Sequence, residues 1–122
     1  MSSHQKIETY FQTANARDWT GFAGVLHPGV VYEVPQTQGR VRGREAYLDF
    51  NITFPGDWTL EIVRVIADDL RAAAEIILRL DGQNMAALVF FEFADGLIAR
   101  ITDYWPENYE PPVRMSKFVE RT

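Results

Sequence analysis

The chain has 122 residues, 47% of them hydrophobic and 24% charged, the balance of one globular domain able to bury a core unaided. It contains no cysteine, which excludes disulfides, thiolate metal sites and cysteine nucleophiles. Its net charge of −5 argues against nucleic acid and anionic membranes as partners, because both demand positive potential.

The opening residues, Met1 to Lys6, are polar and hold no apolar signal core, and no apolar run approaches the roughly 20 residues of a membrane span. The expected setting is the cytoplasm. A first helix follows, because Ile7, Tyr10, Phe11 and Ala14 recur at helical spacing and make one apolar face. Asp18 is a suitable N-cap for a second, shorter helix with Trp19, Phe22, Ala23 and Leu26 as its buried stripe. His27-Pro28-Gly29 is expected to end it, since proline cannot continue the hydrogen-bond ladder.

Val30 to Pro35 reads as a short strand, with Tyr32 and Val34 on one face and Val31 and Glu33 on the other. Pro35 removes a ladder donor and marks a strand end or edge. The basic stretch Arg40-Val41-Arg42-Gly43-Arg44 is expected to be a solvated loop, as no glycine-rich phosphate loop accompanies it. It leads to a third helix near Arg44 to Thr53, with Ala46, Tyr47 and Phe50 facing inward, stopped by Pro55-Gly56.

Beyond that point the period falls toward two. Trp58 to Ala67 is β-rich, and Asp68-Asp69 makes a turn. Leu70 to Leu80 is expected to be a strand, despite the helix propensity of Ala72-Ala73-Ala74-Glu75, because turns bound it on both sides. Asp81-Gly82 joins it to a strand at Met85 to Phe93. Asp95-Gly96 between apolar runs is the signature of a type I′ hairpin.

With Asp95 and Gly96 as the two loop residues, an unbroken ladder sets Glu92 opposite Ala99, Phe90 opposite Ile101 and Leu88 opposite Asp103. One face then carries Leu88, Phe90, Glu92, Ile101, Asp103 and Trp105. The other carries Val89, Phe91, Phe93, Ile98, Arg100, Thr102 and Tyr104. Both are too apolar for water, so one is expected to line the interior and the other to be covered by a second copy of the chain. The tail from Trp105 to Thr122, rich in proline and charge, is expected to pack over a rim or a partner subunit. The whole reads as a single α+β domain over 1–122.

Helices first, then an antiparallel meander, resembles the nuclear transport factor 2-like superfamily and within it the SnoaL-like, polyketide cyclase-like branch. Leu26-His27-Pro28, Val31 to Pro35, Val41 to Ala46, Phe91 to Ile98 and Asp103-Tyr104-Trp105-Pro106 carry the likeness. The resemblance implies a cone-shaped α+β roll, its N-terminal helices packed on a curved, mostly antiparallel sheet. It implies a largely apolar cavity, usually in a homodimer, and an acid or base on the sheet without metal or organic cofactor.

Asp103 is the first candidate for that acid or base. It shares the predicted face with Ile101, Trp105 and Phe90, where desolvation raises a carboxyl pKa toward the range useful for proton transfer. It also matches the last-strand position at which polyketide cyclases of the branch carry an aspartate. A carboxylate that merely accepts hydrogen bonds from loop amides is the alternative.

Glu92, on the same predicted face, is a second carboxylate splitting the titration with Asp103, the partner of an arginine such as Arg79, or a side chain reaching solvent at the rim. Tyr32 and Tyr47 are candidate donors to a substrate carbonyl or enolate, with simple packing as the alternative reading. Trp19, Phe50, Phe54, Trp58, Leu88, Phe90, Ile101 and Trp105 are the expected contacts of a flat hydrophobic ligand. His4 and His27 stand too far apart to make a metal or base constellation, so no metal site is expected.

Dehydratases of the superfamily use paired pocket histidines, and its epoxide hydrolases an arginine between aspartates. Neither pattern is present here. Two functions remain open: a cofactor-free lyase or isomerase acting on a hydrophobic carbonyl compound, and a non-catalytic ligand-binding or dimerisation module. The expected dimer surface is the outer sheet face with Phe91, Phe93, Arg100 and Tyr104.

Overall fold

The computed structural model describes residues 1–115 and 117–122. Three helices come from the first half of the chain: α1 (Ser3–Ala16), α2 (Trp19–Ala23) and α3 (Arg44–Ile52). Six strands, β1 (Leu26–Val34), β2 (Gly39–Arg42), β3 (Thr59–Ala67), β4 (Arg71–Leu80), β5 (Gln83–Ala94) and β6 (Leu97–Tyr104), form one sheet in the order β2-β1-β6-β5-β4-β3. Every neighbouring pair is antiparallel except β1 with β6. The result is a curved, unclosed α+β sheet with helices packed on one face. Among the described residues no helix is long and apolar enough to cross a membrane.

Local chemistry explains the helix ends. Ser2 Oγ accepts from the Gln5 backbone N–H at 3.1 Å, and the Gln5 side chain accepts from the Ser2 N–H at 2.8 Å, a reciprocal capping box. Asp18 caps α2 through a 3.0 Å bond from the Gly21 N–H. Ile7, Tyr10, Phe11 and Ala14 of α1 are buried against the sheet, joined by Phe22 from α2 and Tyr47 from α3.

Two local expectations are corrected. Leu26 belongs to β1 rather than to the second helix, and His27-Pro28-Gly29 lies within that strand. The pairing of β1 with β6 is made at Leu26 and resumes only at Val31. The register shifts between them, and Pro28 and Gly29 are exposed, so the missing N–H of Pro28 costs the ladder nothing. The Arg/Gly stretch is no loop: Gly39–Arg42 is β2, an edge strand paired with Val31–Val34.

The third correction concerns register. The Asp95-Gly96 turn forms as expected, with φ of 54° and 73°, the left-handed pair of a type I′ turn. The ladder then slips. Phe93 lies opposite Ile98, but Glu92 lies opposite Arg100 and Val89 opposite Asp103. Ala99 is an extra residue, a β-bulge that moves all later pairings by one. Ile98 and Ile101, three apart, are therefore both fully buried.

The bulge sorts the hairpin cleanly. Ala87, Val89, Phe91, Ile98, Ile101 and Asp103 face the helices and are buried, while Leu88 (43% exposed), Phe90 (48%) and Tyr104 lie on the outer face. Glu92 is also outside, 3.8 Å from Arg100. The predicted inner positions of Leu88, Phe90 and Glu92 are thus wrong, and Phe91, expected at an outer interface, is a core residue 1% exposed. Phe93 is half-buried against the core. Of the expected outer set only Arg100 and Tyr104 are exposed. Ser116, part of the tail expected to cover a rim, lies outside the described residues.

This register has a direct test. Phe91→Ala should cost about 3–5 kcal/mol, as deletion of a buried ring does, whereas Glu92→Ala should stay within about 0.5 kcal/mol of wild type. Urea titration of both variants reads the difference, and equal losses would restore the unbroken register.

Candidate active site

A cavity of about 520 Å³ opens between the inner face of the sheet and the helices, within the size range of small-molecule sites. Phe11 of α1, Trp58, and Leu60, Ile76, Leu78 and Val89 of the sheet make its apolar walls. Phe50 and Phe54, both partly exposed, stand where α3 ends. Tyr32, Tyr47 and Phe50 form a run of neighbouring rings, with centroids 4.9 Å and 6.1 Å apart and interplanar angles of 28° and 14°.

Asp103 lines this cavity and is only 6% exposed, the one buried charged residue of the core among the described residues. β6 supplies it by alternation: Ile101 and Asp103 point inward, Thr102 and Tyr104 away. Tyr32 on β1, paired with Ile101 across the parallel junction, donates its hydroxyl to Asp103 Oδ2 at 2.6 Å. Oδ1 is buried without a hydrogen bond of good geometry, although the Trp105 indole lies near enough to act on the carboxylate. A buried acceptor left in this state is costly unless something else completes it.

Burial pushes the Asp103 carboxyl up to about 6, opposed in part by the Tyr32 hydroxyl and by the nearby Trp105 indole. Burial first, and then the Asp103 charge, drives the Tyr32 hydroxyl far above its ordinary range. Tyr32 therefore remains a neutral donor committed to the carboxylate, not a free donor for a ligand.

A second polar element lies beside it. Tyr10 from α1 and Tyr47 from α3 both line the cavity, and their hydroxyl oxygens are 2.5 Å apart. Burial holds both phenols above their ordinary range, so each keeps its hydrogen. One hydrogen makes the bond between them. The Asn51 side chain also hydrogen-bonds to the Tyr47 hydroxyl, so the pair is part of a small polar cluster on the cavity wall.

The remaining predicted site residues divide by position. Tyr32, Tyr47, Phe50, Phe54, Trp58, Trp105 and Asp103 are brought together around the cavity. Trp19 is not among them; it packs edge-on against Phe22 at 5.5 Å. Ile101 is fully buried in the core, and Leu88, Phe90 and Glu92 lie across the sheet. His27 contacts Asp95 at 3.4 Å at the hairpin turn. Among the described residues no group of histidine and carboxylate side chains is arranged to hold a metal. Tyr10 was missed as a site residue because it sits in an apolar helical stripe. The one available signal was its hydroxyl, which a buried position obliges to find a partner.

Comparison with known proteins identifies the family of the fold. Residues 7–101 match the SnoaL-like domain family. No curated protein of described function matches the chain. Among solved structures, a candidate ketosteroid isomerase from Kribbella flavida DSM 17836 is 45% identical, covers 97% of this chain and 87% of its own, and superposes with a TM-score of 0.94. An NTF-2 like protein of unknown function from Burkholderia xenovorans LB400 is 19% identical over 98% of this chain and 94% of its own, with a TM-score of 0.83. A candidate polyketide cyclase from Xanthomonas campestris pv. campestris is 25% identical over 84% of this chain and 89% of its own, with a TM-score of 0.72.

The raised carboxyl has a consequence for stability. Asp103 takes up its proton more readily folded than unfolded, so its contribution is fully present below about pH 4 and is lost as the pH rises through about 6. The loss is on the order of 3 kcal/mol. Asp103→Asn, which keeps an acceptor for Tyr32, should flatten this fall and raise Tm by several degrees at pH 8. Thermal melts of both proteins from pH 4 to 8 measure it, and parallel curves would mean that the carboxyl is not desolvated.

Proposed function

The chain belongs to the SnoaL-like domain family of the nuclear transport factor 2-like superfamily, and on that premise we propose that it is a cofactor-free isomerase or cyclase acting on a hydrophobic carbonyl compound. The observation that carries this reading is the Asp103 carboxylate, 6% exposed, at the wall of an apolar cavity. With a pKa about 6 it is mostly ionised at neutral pH, so it is a base matched to its operating pH.

In this reading the substrate carbonyl accepts a hydrogen bond from a hydroxyl of the Tyr10–Tyr47 pair. Asp103 removes a proton from the adjacent carbon, the electron pair moves onto the carbonyl oxygen, and the tyrosine hydroxyl holds the resulting enolate. Where a double bond is conjugated with the enolate, its far carbon takes the proton back from Asp103, which is isomerisation. Otherwise the enolate carbon attacks a second carbonyl in the same molecule and Asp103 returns its proton to the new alkoxide, which closes a ring. Tyr32 keeps Asp103 oriented. Support comes also from the Kribbella protein, whose name carries a ketosteroid isomerase activity. The shared fold alone carries no reaction.

Turnover should fall about 10²–10⁴-fold in Asp103→Asn, and wild-type kcat/KM should rise with pH through about 6 before levelling. Tyr47→Phe should lower kcat while Tyr32→Phe shifts the pH midpoint. The assay uses flat ketones and polyketide-like diketones that stabilise the protein in thermal melts. Binding without turnover, or turnover untouched in Asp103→Asn, would favour the non-catalytic ligand-binding module.

The partner reading is a second copy of the chain in the cytoplasm. The outer sheet face carries Ile66, Leu88, Phe90 and Tyr104, all exposed, a contiguous apolar patch of the kind that marks interaction surfaces. A row of alternating charge, Arg40, Glu33, Arg100 and Glu92, borders it, a pattern that a two-fold axis can match to itself. Sedimentation velocity should give twice the 14.0 kDa chain mass for wild type and a monomer for Phe90→Glu. A wild-type monomer at high micromolar concentration removes the dimer.

A further inference from the structure

Trp105 is the first residue after β6, and the ladder does not hold it. The parallel pairing of β1 with β6 runs from Val31 opposite Arg100 to Glu33 opposite Thr102. Pro35 follows on β1's side, with no N–H to offer. In place of a backbone pair, the Gln36 side chain completes the junction. Its Oε1 accepts from the Trp105 N–H at 2.5 Å, and its Nε2 donates to the Trp105 carbonyl at 3.0 Å. One amide thus imitates a neighbouring strand residue, meeting both main-chain groups of Trp105 at once.

Trp105 is half-buried against the core and lines the cavity together with Asp103. Its indole lies close enough to Asp103 and Tyr32 to act on both. Beyond it the chain has no helix or strand among the described residues except one short 3₁₀ turn, Val113–Met115. Nothing in regular secondary structure therefore fixes the Trp105 backbone from its C-terminal side, and Gln36 is its clasp.

We propose that Gln36 is a positioning residue that latches Trp105 beside Asp103 and thereby keeps water away from the carboxyl. This goes beyond the reaction proposed above and stands whether or not Asp103 acts on a substrate. The groups that bear on Asp103 are the Tyr32 hydroxyl from β1, the Tyr47 and Tyr10 hydroxyls from α3 and α1, and the Trp105 indole. Arg40 contributes to the cavity wall, but its guanidinium pairs with Glu33 at 3.4 Å. Loss of the latch has two opposing effects on the carboxyl: water enters, which lowers its pKa, and the indole moves off, which raises it. Burial is the largest of the influences on this group, so entry of water wins.

The test is an NMR titration of the Asp103 side-chain carbon in the full chain, with no substrate needed. Wild type should titrate near 6, and Gln36→Ala should move the midpoint down toward the ordinary carboxylate value of roughly 3.9. Trp105 fluorescence, identified by comparison with Trp105→Phe, should shift to longer wavelength in the same variant. Gln36→Asn, whose shorter amide cannot span both backbone groups, should behave alike and serves if Gln36→Ala does not fold. A midpoint unchanged from wild type in either folded variant overturns the proposal. Because the midpoint is read without turnover, failure here is distinguishable from failure of the reaction: an inert protein with a Gln36-dependent midpoint keeps the latch.

Discussion

One extra residue, Ala99, governs what the inner surface of this sheet presents. A strand alternates strictly, so a single inserted residue exchanges its faces from that point on. On the turn side of the bulge Ile98 faces the helices; beyond it Ile101 and Asp103 do, opposite Phe91 and Val89. Were the ladder unbroken from the turn, an inward Ile98 would bring Arg100, Thr102 and Tyr104 inward too. The bulge lets an apolar hairpin end and a buried carboxylate share one face, and the cavity is built on that arrangement.

The carboxylate so placed is held at a cost. Its burial favours the neutral form, and only the Tyr32 hydroxyl and the nearby Trp105 indole act for the charge. The protein could have completed Oδ1 with a backbone amide or a second hydroxyl, which would have stabilised the fold and lowered the pKa. The nearby Tyr10 and Tyr47 hydroxyls bond to one another, and Tyr47 also to the Asn51 side chain, rather than to the carboxylate. A buried carboxylate so incompletely satisfied is the kind of local inconsistency that functional positions show.

The same fold hosts different chemistries elsewhere, so membership in the family fixes the scaffold and leaves the reaction to side chains. Here the scaffold's contribution is geometric. α1 and α3 bring two tyrosines over the sheet, the parallel β1–β6 junction brings Tyr32 to Asp103, and the residues after β1 bring Gln36 to Trp105. Each of these pairs joins segments tens of residues apart, none of them adjacent in the chain.

Much of the architecture was legible in the sequence because it rests on short-range physics. The stripe of Ile7, Tyr10, Phe11 and Ala14, the Asp18 cap, and the left-handed turn at Asp95-Gly96 depend on residues within one or two turns of chain. The strand at Arg71–Leu80 was legible from its bounding turns, against the helix propensity of its alanines, which sheet pairing overrides. Asp103, Tyr32, Tyr47 and Trp105 could be named as candidates for the same reason, as polar or aromatic groups within apolar patterns.

What the sequence could not decide was register, and with it every partner across the sheet. A bulge costs one residue and leaves no obligatory local mark; its trace was that both faces of the last hairpin read as too apolar under an unbroken ladder. An unbroken ladder puts Leu88, Phe90 and Glu92 inward, where the bulge turns them outward. The pairing of Tyr10 with Tyr47, the commitment of Tyr32 to Asp103 and the grip of Gln36 on Trp105 are long-range contacts, set only when the folded chain brings those surfaces together. The sequence by itself determined which segments fold and which residues are chemically able to act. The tertiary structure alone decided which of them meet, because local propensity acts over a few residues and the faces of a sheet are chosen by packing across the whole domain.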